Sequence, residues 1–508
     1  MASVLSVASS LSPTSWRLLG ALLAGMLMVP AFAPFDLFWL APLSLLALII
    51  LIRDCTPRQA LGTGYVFGLG CFGAGVYWVY ISMHTFGGAP AVLAAVMTVA
   101  LIACLAVYPA LVAWLLARFW PSASATRHLL AFPVLWTLAE WLRSWLFSGF
   151  GWLSTGYSQL DTPLAGFAPV GGVLLLSLLV ALSAGLMWQI WHWRHRFWLS
   201  AVAVLSLMLV WAGGALLERV QWSQPAGDPL SVALVQGNVS QDKKWLPEMR
   251  RPTLERYRDL TVEHLGRDLI VWPEAALPVL FNHLADEYLE ELNQALFSYG
   301  SELLMGILVR DYARDAEYNT ILAMGEPYQF YTKHHLVPFG EFFPVPAFVR
   351  RQMALLNLPY TGFERGSVRQ PPLRVAGIRI AASICYEDIF GAWFAGTVVN
   401  ADMLVNVSND AWFGDSIAPA QHLQIARMRA LENGRWMLRT TNTGITAIID
   451  HRGRVVRAKQ QFETGVLTGV AYPYQGMTPY TRWRDLPLLV MMLLALAVAG
   501  GLAMKRRS

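Results

Sequence analysis

The sequence predicts an integral membrane bundle of α-helices joined to a soluble α/β domain, and three observations predict it. Hydrophobic residues make up 56% of the 508 residues and charged residues only 14%, against roughly 25% charged in an ordinary soluble chain. The acids and bases crowd into residues 218–485, while 1–217 and 486–504 carry few. The apolar parts break into stretches of about 20 residues, the length that crosses a bilayer core. With 21 Trp and 24 Phe, a soluble globule would have more apolar surface than it could bury. Scarce charge, glycine without a period and four cysteines exclude disordered, collagen-like and disulfide-scaffold classes.

Seven spans are expected before the charged block, at about 17–34, 37–52, 59–82, 90–117, 128–148, 163–191 and 197–217, and an eighth at about 486–504. This divides the chain into a membrane part (1–217), a soluble domain (218–485) and a last span with a basic tail (486–508). Short-loop Lys and Arg set orientation. Arg17, Arg53, Arg58, Arg118, Arg127, Arg194, Arg196 and Lys505-Arg506-Arg507 all fall on one side, and loops such as Pro34–Asp36 and His84–Ala89 have none. Both termini are therefore expected in the cytoplasm and residues 218–485 on the far side, which in a bacterium is the periplasm. Ala31-Phe32-Ala33 also fits a signal-peptide cleavage site, but another apolar span follows at once. The net charge of +5 comes without a Lys/Arg run carrying interleaved aromatics, so no nucleic-acid partner is expected.

In the soluble domain, strands are expected at Ser231–Gln236, Asp268–Trp272, Leu303–Ile307, Thr320–Met324, Ile378–Ile384, Met403–Val407, Met437–Thr441, Ile445–Ile449 and Val466–Val470. Helices are expected at Leu284–Phe297 and Gln421–Leu431. Their alternation implies a layered α/β domain.

Three strand ends carry reactive side chains, the usual place for sites in α/β sheets. Glu274 follows Ile270-Val271-Trp272-Pro273. Lys333 precedes Leu336-Val337-Pro338-Phe339-Gly340-Glu341. Cys385 ends Ala382-Ser383-Ile384 and is the one cysteine of the exported block. A thiol nucleophile needs a base, and a carboxylate in an apolar site can serve. Attack on a carbonyl makes an oxyanion, which needs a fixed cation or N–H donors. Only five Lys stand against 33 Arg, so a lysine at 333 is a choice of shape as well as of charge. Each residue also has a plainer reading: a helix cap for Glu274, a solvated surface for Lys333, core packing for Cys385. Spacings of 59 and 52 residues do not join the three by themselves.

Trp272-Pro273-Glu274, Lys333 with His334 and Leu336 to Glu341, and Cys385-Tyr386-Glu387 resemble the Glu-Lys-Cys constellation of the nitrilase (carbon–nitrogen hydrolase) superfamily. Val235-Gln236-Gly237-Asn238, Lys244-Trp245 and Asn406 to Gly414 fit as well, and the whole chain with its spans resembles the apolipoprotein N-acyltransferases of the bacterial inner membrane. The resemblance implies an αββα sandwich for the soluble domain. It also implies a two-step transfer, from a phospholipid donor to a Cys385 thioester and then to the α-amine of a diacylglyceryl-Cys apolipoprotein. Glu274 would be the base and Lys333 the oxyanion stabiliser, with the Tyr386 N–H as second donor. Glu341 would orient Lys333 or help the proton transfers. Tyr386, Glu387, Trp245 and Trp412 would support or line the pocket. No metal or other cofactor is expected.

The apolar segments Phe342-Phe343-Pro344-Val345-Pro346 and Met353–Tyr360 are expected either as a lid for lipid chains or as ordinary core. Within the fifth span, Glu140 and Arg143 share a helix face, so Arg143 either meets a lipid phosphate or pairs with Glu140. Two other functions compete with acyl transfer. A membrane-tethered amidase or nitrilase would use the same triad with water as acceptor, but would not need eight spans. A transporter or scaffold is kept open only by the Gly-rich third span, and the intact triad argues against it.

Overall fold

The computed structural model describes residues 12–325, 327–342 and 362–505. The chain forms two compact units, one of residues up to Val220 together with those from Trp483 on, the other Gln221–Arg482.

In the first unit, five helices among the described residues are long and apolar enough to cross a membrane by length and composition. They lie in Pro13–Ala31, Ala91–Phe119, Pro163–His192, Phe197–Leu217 and Leu486–Lys505. A sixth arises if Pro57–Gly75 and Trp78–Phe86, bent by 51°, make one span. The two remaining expected spans come out short. One is the 12-residue helix Leu40–Leu51. The other is Phe132–Arg143, preceded by a π-helical turn at Arg127–Ala131. It stops before 148 because Phe147 and Ser148 take left-handed backbone (φ 54 and 74) that a helix cannot continue. The glycines of the third expected span are packing contacts. A Cβ on Gly70 would lie 2.2 Å from the Leu22 carbonyl oxygen, and one on Gly25 would lie 2.0 Å from that of Phe67. Only bare backbone lets these two helices approach so closely.

Among the described residues the second unit holds fourteen strands: β1 (Ser223–Pro225), β2 (Leu230–Gln236), β3 (Leu269–Val271), β4 (Glu302–Asp311), β5 (Ala316–Met324), β6 (Gln329–Thr332), β7 (Leu373–Val375), β8 (Ile378–Ile384), β9 (Met403–Ser408), β10 (Met437–Thr441), β11 (Thr446–Ile449), β12 (Val455–Lys459), β13 (Gly465–Ala471) and β14 (Tyr474–Gly476). β1 and β14 form a small ribbon. The others make two six-stranded sheets, ordered β13-β2-β3-β4-β5-β6 and β12-β11-β10-β9-β8-β7. The central triplets β2-β3-β4 and β8-β9-β10 are parallel, and antiparallel strands flank them.

Side-chain alternation builds four layers. Val232, Leu234, Leu269 and Val271 of one sheet meet Ile380, Ala382, Met403 and Val405 of the other in a shared inner core. The opposite face of the first sheet, with Ala233, Val235, Ile270 and Trp272, packs under Tyr257 of helix Pro247–Val262 and under Leu289, Leu292 and Leu296 of helix Asp286–Ser298. The outer face of the second sheet packs under Phe394 and Val398 of Gly391–Val398 and under Ala426 and Ala430 of Ala418–Asn433. The result is helix, sheet, sheet, helix.

Candidate active site

Each expected triad member lies just beyond a strand. Glu274 stands three residues after β3, Lys333 directly follows β6, and Cys385 directly follows β8. The first two belong to one sheet and the third to the other, so the site draws on both halves of the sandwich.

Lys333 is 1% exposed. Its Nζ donates to Glu341 Oε1 at 2.7 Å and to Glu274 Oε1 at 3.2 Å. Asn319 of β5 ties the same two carboxylates together, its Nδ2 donating to Glu274 Oε1 at 2.8 Å and to Glu341 Oε1 at 3.2 Å. Its carbonyl also accepts the Lys333 N–H at 2.8 Å, which fixes the lysine beside it. The other carboxylate oxygens are held by backbone. Asn409 N–H donates to Glu274 Oε2 at 2.9 Å and Val337 N–H to Glu341 Oε2 at 2.8 Å. Burial alone would lower the lysine, but Glu274 and Glu341 outweigh it and keep the ammonium well above the ordinary lysine range. Lys333 is a permanent cation.

Cys385 sits in left-handed backbone (φ 53) and opens the 3-10 turn Cys385–Ile389. For a non-glycine residue that conformation costs of order 1–3 kcal/mol and persists only where its surroundings enforce it. Here the Asn406 Nδ2 donates to the Cys385 carbonyl at 3.3 Å, and His422 Nε2 lies at the same distance from it. Burial pushes the thiol well up, the Glu274 charge pushes it further, and Lys333 pulls against them. At neutral pH the sulfur therefore carries its proton, and a base has to remove it at the moment of attack. Glu274 has the necessary character: its Oε1 already takes Lys333 and Asn319, whereas Oε2 takes one backbone N–H.

A family model described as apolipoprotein N-acyltransferase N-terminal domain matches residues 24–186, and one described as carbon-nitrogen hydrolase matches 231–470. A relative from Methylococcus capsulatus with the name apolipoprotein N-acyltransferase is 45% identical over 92% of this chain and 93% of its own. Those of the same name from Azotobacter vinelandii (46%, 96% and 95%) and Pseudomonas putida (45%, 94% and 95%) are as similar. The chain belongs to the apolipoprotein N-acyltransferase family. It is thus an acyltransferase whose second unit is a carbon–nitrogen hydrolase fold.

In this acyltransferase Glu387 is a tie between loops. Its Oε1 accepts the backbone N–H groups of His334 (2.7 Å) and His335 (3.0 Å), and its Oε2 accepts the Tyr331 hydroxyl (2.7 Å) and the Ile384 N–H (2.8 Å). One carboxylate thereby fastens the residues around Lys333 to the residue before Cys385. Burial pushes it up to about 7, against the pull of the Tyr331, Ile384 and His335 donors and of the Lys333 charge. Behind Cys385 lies a fully buried charge network. His422 meets Asp410 (2.9 Å) and Asp388 (3.1 Å), and Arg439 meets Asp410 (2.8 Å) and Asn406 (2.7 Å). Burial and the Arg439 charge would lower His422, but Asp388 and Asp410 outweigh them and push it up to about 9. The imidazolium and Asn406 together hold the nucleophile's backbone.

Sequence reasoning missed Asn319, Tyr331 and His422 as parts of this site. Asn319 left a trace, an amide inside the apolar run of β5, but nothing local pointed to the other two. Among the remaining expected residues, Tyr386 packs its ring edge-on against Phe390 at 5.3 Å. Trp245 and Trp412 are exposed, at 49% and 38%. Phe342 packs under the Arg365 guanidinium, whereas Phe343 and most of the expected lid, 343–346 and 353–360, lie outside the described residues. Arg143 belongs to the first unit and is buried there. It donates to the Phe150 carbonyl (2.6 Å), the Trp152 carbonyl and Ser154 Oγ (3.3 Å). Glu140 instead accepts from Trp136 Nε1 (3.0 Å) and the Thr155 N–H (2.9 Å). The expected Glu140–Arg143 ion pair does not form, because the chain after the helix folds back and gives each its own partners. Among the described residues no group of three or more His, Cys, Asp or Glu is placed to hold a metal ion.

Proposed function

We propose that this acyltransferase moves an acyl chain from a membrane phospholipid to Cys385, and from there to the α-amine of the diacylglyceryl-Cys that begins an apolipoprotein. The observation that carries the mechanism is the buried Lys333 ammonium held between Glu274 and Glu341 beside a thiol kept protonated by burial. Glu274 takes the thiol proton as sulfur attacks the donor ester. Lys333, and the Tyr386 N–H at the start of the turn, stabilise the oxyanion. Glu274 returns the proton to the departing lysophospholipid oxygen, leaving a thioester. Attack by the acceptor amine repeats the sequence and frees Cys385. Glu341 and Asn319 keep Lys333 aimed; Trp245, Trp412 and Phe342 line the approach.

The names of the relatives support the lipoprotein acceptor. The apolar helices support a substrate drawn from the bilayer. In this reading residues 1–217 and 486–508 hold eight spans with both termini cytoplasmic, and residues 218–485 work in the periplasm of a bacterial inner membrane.

The test is intact-protein mass after incubation with phospholipid and no acceptor. An added acyl chain that hydroxylamine removes, and that Cys385→Ala lacks, is the expected result. Release of free fatty acid or ammonia with no adduct would instead assign the site to hydrolysis.

A further inference from the structure

Lys244 is 1% exposed and lies on the loop between β2 and helix Pro247–Val262. Its backbone N–H is bonded to the Ser240 carbonyl at 2.9 Å, but no hydrogen bond or ion pair within 4.0 Å holds its Nζ among the described residues. The Nζ is not among the fully enclosed polar atoms that lack a partner, so the ammonium keeps contact with water while no side chain neutralises it. This loop is fastened to the active site: Gln241 Oε1 accepts from Asn409 Nδ2 at 2.7 Å, and the Asn409 N–H holds Glu274. Glu274 is also the charged group that acts on Lys244. Lys333, by contrast, is committed to two carboxylates and cannot exchange its proton at neutral pH.

The proposed transfer leaves a proton over. The acceptor arrives as an ammonium and ends as an amide, losing two protons. Cys385 takes back only one. Glu274 cannot keep the other without being disabled for the next turnover.

We infer that Lys244 is a proton-relay partner of Glu274 in the second half-reaction, receiving the surplus proton of the acceptor ammonium and passing it to solvent. The inference rests on the two-step reading above. Glu274 takes a proton from the ammonium and passes it, through a bridging water, to Lys244 in its unprotonated form. The freed amine then attacks the thioester carbonyl, forming the C–N bond. As the C–S bond breaks, the second N–H proton goes through Glu274 to the leaving thiolate, and Lys244 loses its proton to water. Burial lowers Lys244 to about 8, partly offset by Glu274. That matches an α-amino group, whose ordinary value is also near 8, so the proton moves between the two at little cost.

The experiment separates the half-reactions in the full-length protein. Lys244→Gln and Lys244→Arg are compared with wild type for thioester formation by intact mass. They are then compared for loss of the thioester on adding a diacylglyceryl lipopeptide, at about pH 7.5 and about pH 9.5, either side of the α-amino pKa. Both variants should acylate normally, which also shows that they fold. Both should lose about a hundredfold in the second step at the lower pH, the low end of what a positioned proton acceptor contributes. Both should recover at the higher pH, where the acceptor arrives already neutral. Arg must fail like Gln, since a guanidinium retains the charge but never gives up its proton. Overturning results are an active Lys244→Arg, which would make the charge alone important, an equal loss in both half-reactions, or no recovery at high pH. A wild type that never forms the thioester would instead overturn the two-step reading itself.

Discussion

Glu387→Gln tests the tie between the lysine loop and the nucleophile turn. The substitution keeps shape but replaces one acceptor oxygen by an NH2 group. The carboxylate accepts two backbone N–H groups on Oε1, and a hydroxyl plus one backbone N–H on Oε2. The best placement keeps the amide oxygen toward His334 and His335 and turns the NH2 toward Tyr331, whose hydroxyl can accept. The Ile384 N–H is then buried against a donor. An orphaned buried donor costs about 1–3 kcal/mol, and losing charge assistance in the remaining bonds adds about 1 kcal/mol. At roughly 2–4 °C per kcal/mol for a unit of this size, the melting midpoint of the second unit should fall by about 4–16 °C. Ile384 precedes the strained Cys385, so thioester formation should slow by about tenfold or more. Glu387→Leu, which removes all four acceptor contacts, should be worse on both counts. Differential scanning fluorimetry and time-resolved intact mass read the two effects. A Glu387→Gln protein that melts and acylates like wild type would show that this carboxylate does not hold the elbow.

Because the Glu274 charge helps raise the Cys385 thiol, Glu274→Gln should be alkylated by iodoacetamide faster than wild type at mildly alkaline pH while failing to turn over; slower labelling would refute that electrostatic account. Lys333→Met leaves Glu274 and Glu341 buried without their cation, a loss of about 3–5 kcal/mol that should show as a lowered melting midpoint, partly restored at acidic pH where one carboxylate protonates. Lys333→Arg keeps charge but should lose most acyl transfer, because a forked guanidinium does not fit a slot built for a point charge; near-normal turnover would remove Lys333 from the site. His422 is raised in the fold, so its contribution to stability is whole below about pH 6.5, its ordinary value, and is lost as pH rises through about 9; melting midpoints across that window should fall in wild type more than in His422→Gln.

The sequence announced the layered domain because its central strands are continuous apolar runs. All nine expected strands are present within a few residues. The five missed ones are short or exposed: β12 is almost wholly exposed, β6 has four residues, and β1, β7 and β14 have three each. Helix Pro247–Val262 carries so many charges that its buried Thr253, Tyr257 and Thr261 escaped notice. The triad was legible as residue types at strand ends. Its wiring was not, because Asn319, Glu387 and His422 each reach groups 22 to 56 residues away. The end of the fifth expected span was less legible: hydropathy continues through Ser144–Ser148, but the backbone turns there.

One lysine clasped by two carboxylates gives the resting centre a formal charge of minus one, with the thiol neutral. When sulfur attacks, its proton neutralises Glu274 and the negative charge reappears on the carbonyl oxygen. The sum has not changed; one unit of charge has moved a few ångströms within reach of the same ammonium. Nothing ionic has to be drawn in from, or expelled to, the surrounding medium. Such a centre can operate beside hydrocarbon chains that would penalise any newly created ion, and the acylation rate should be nearly indifferent to salt concentration.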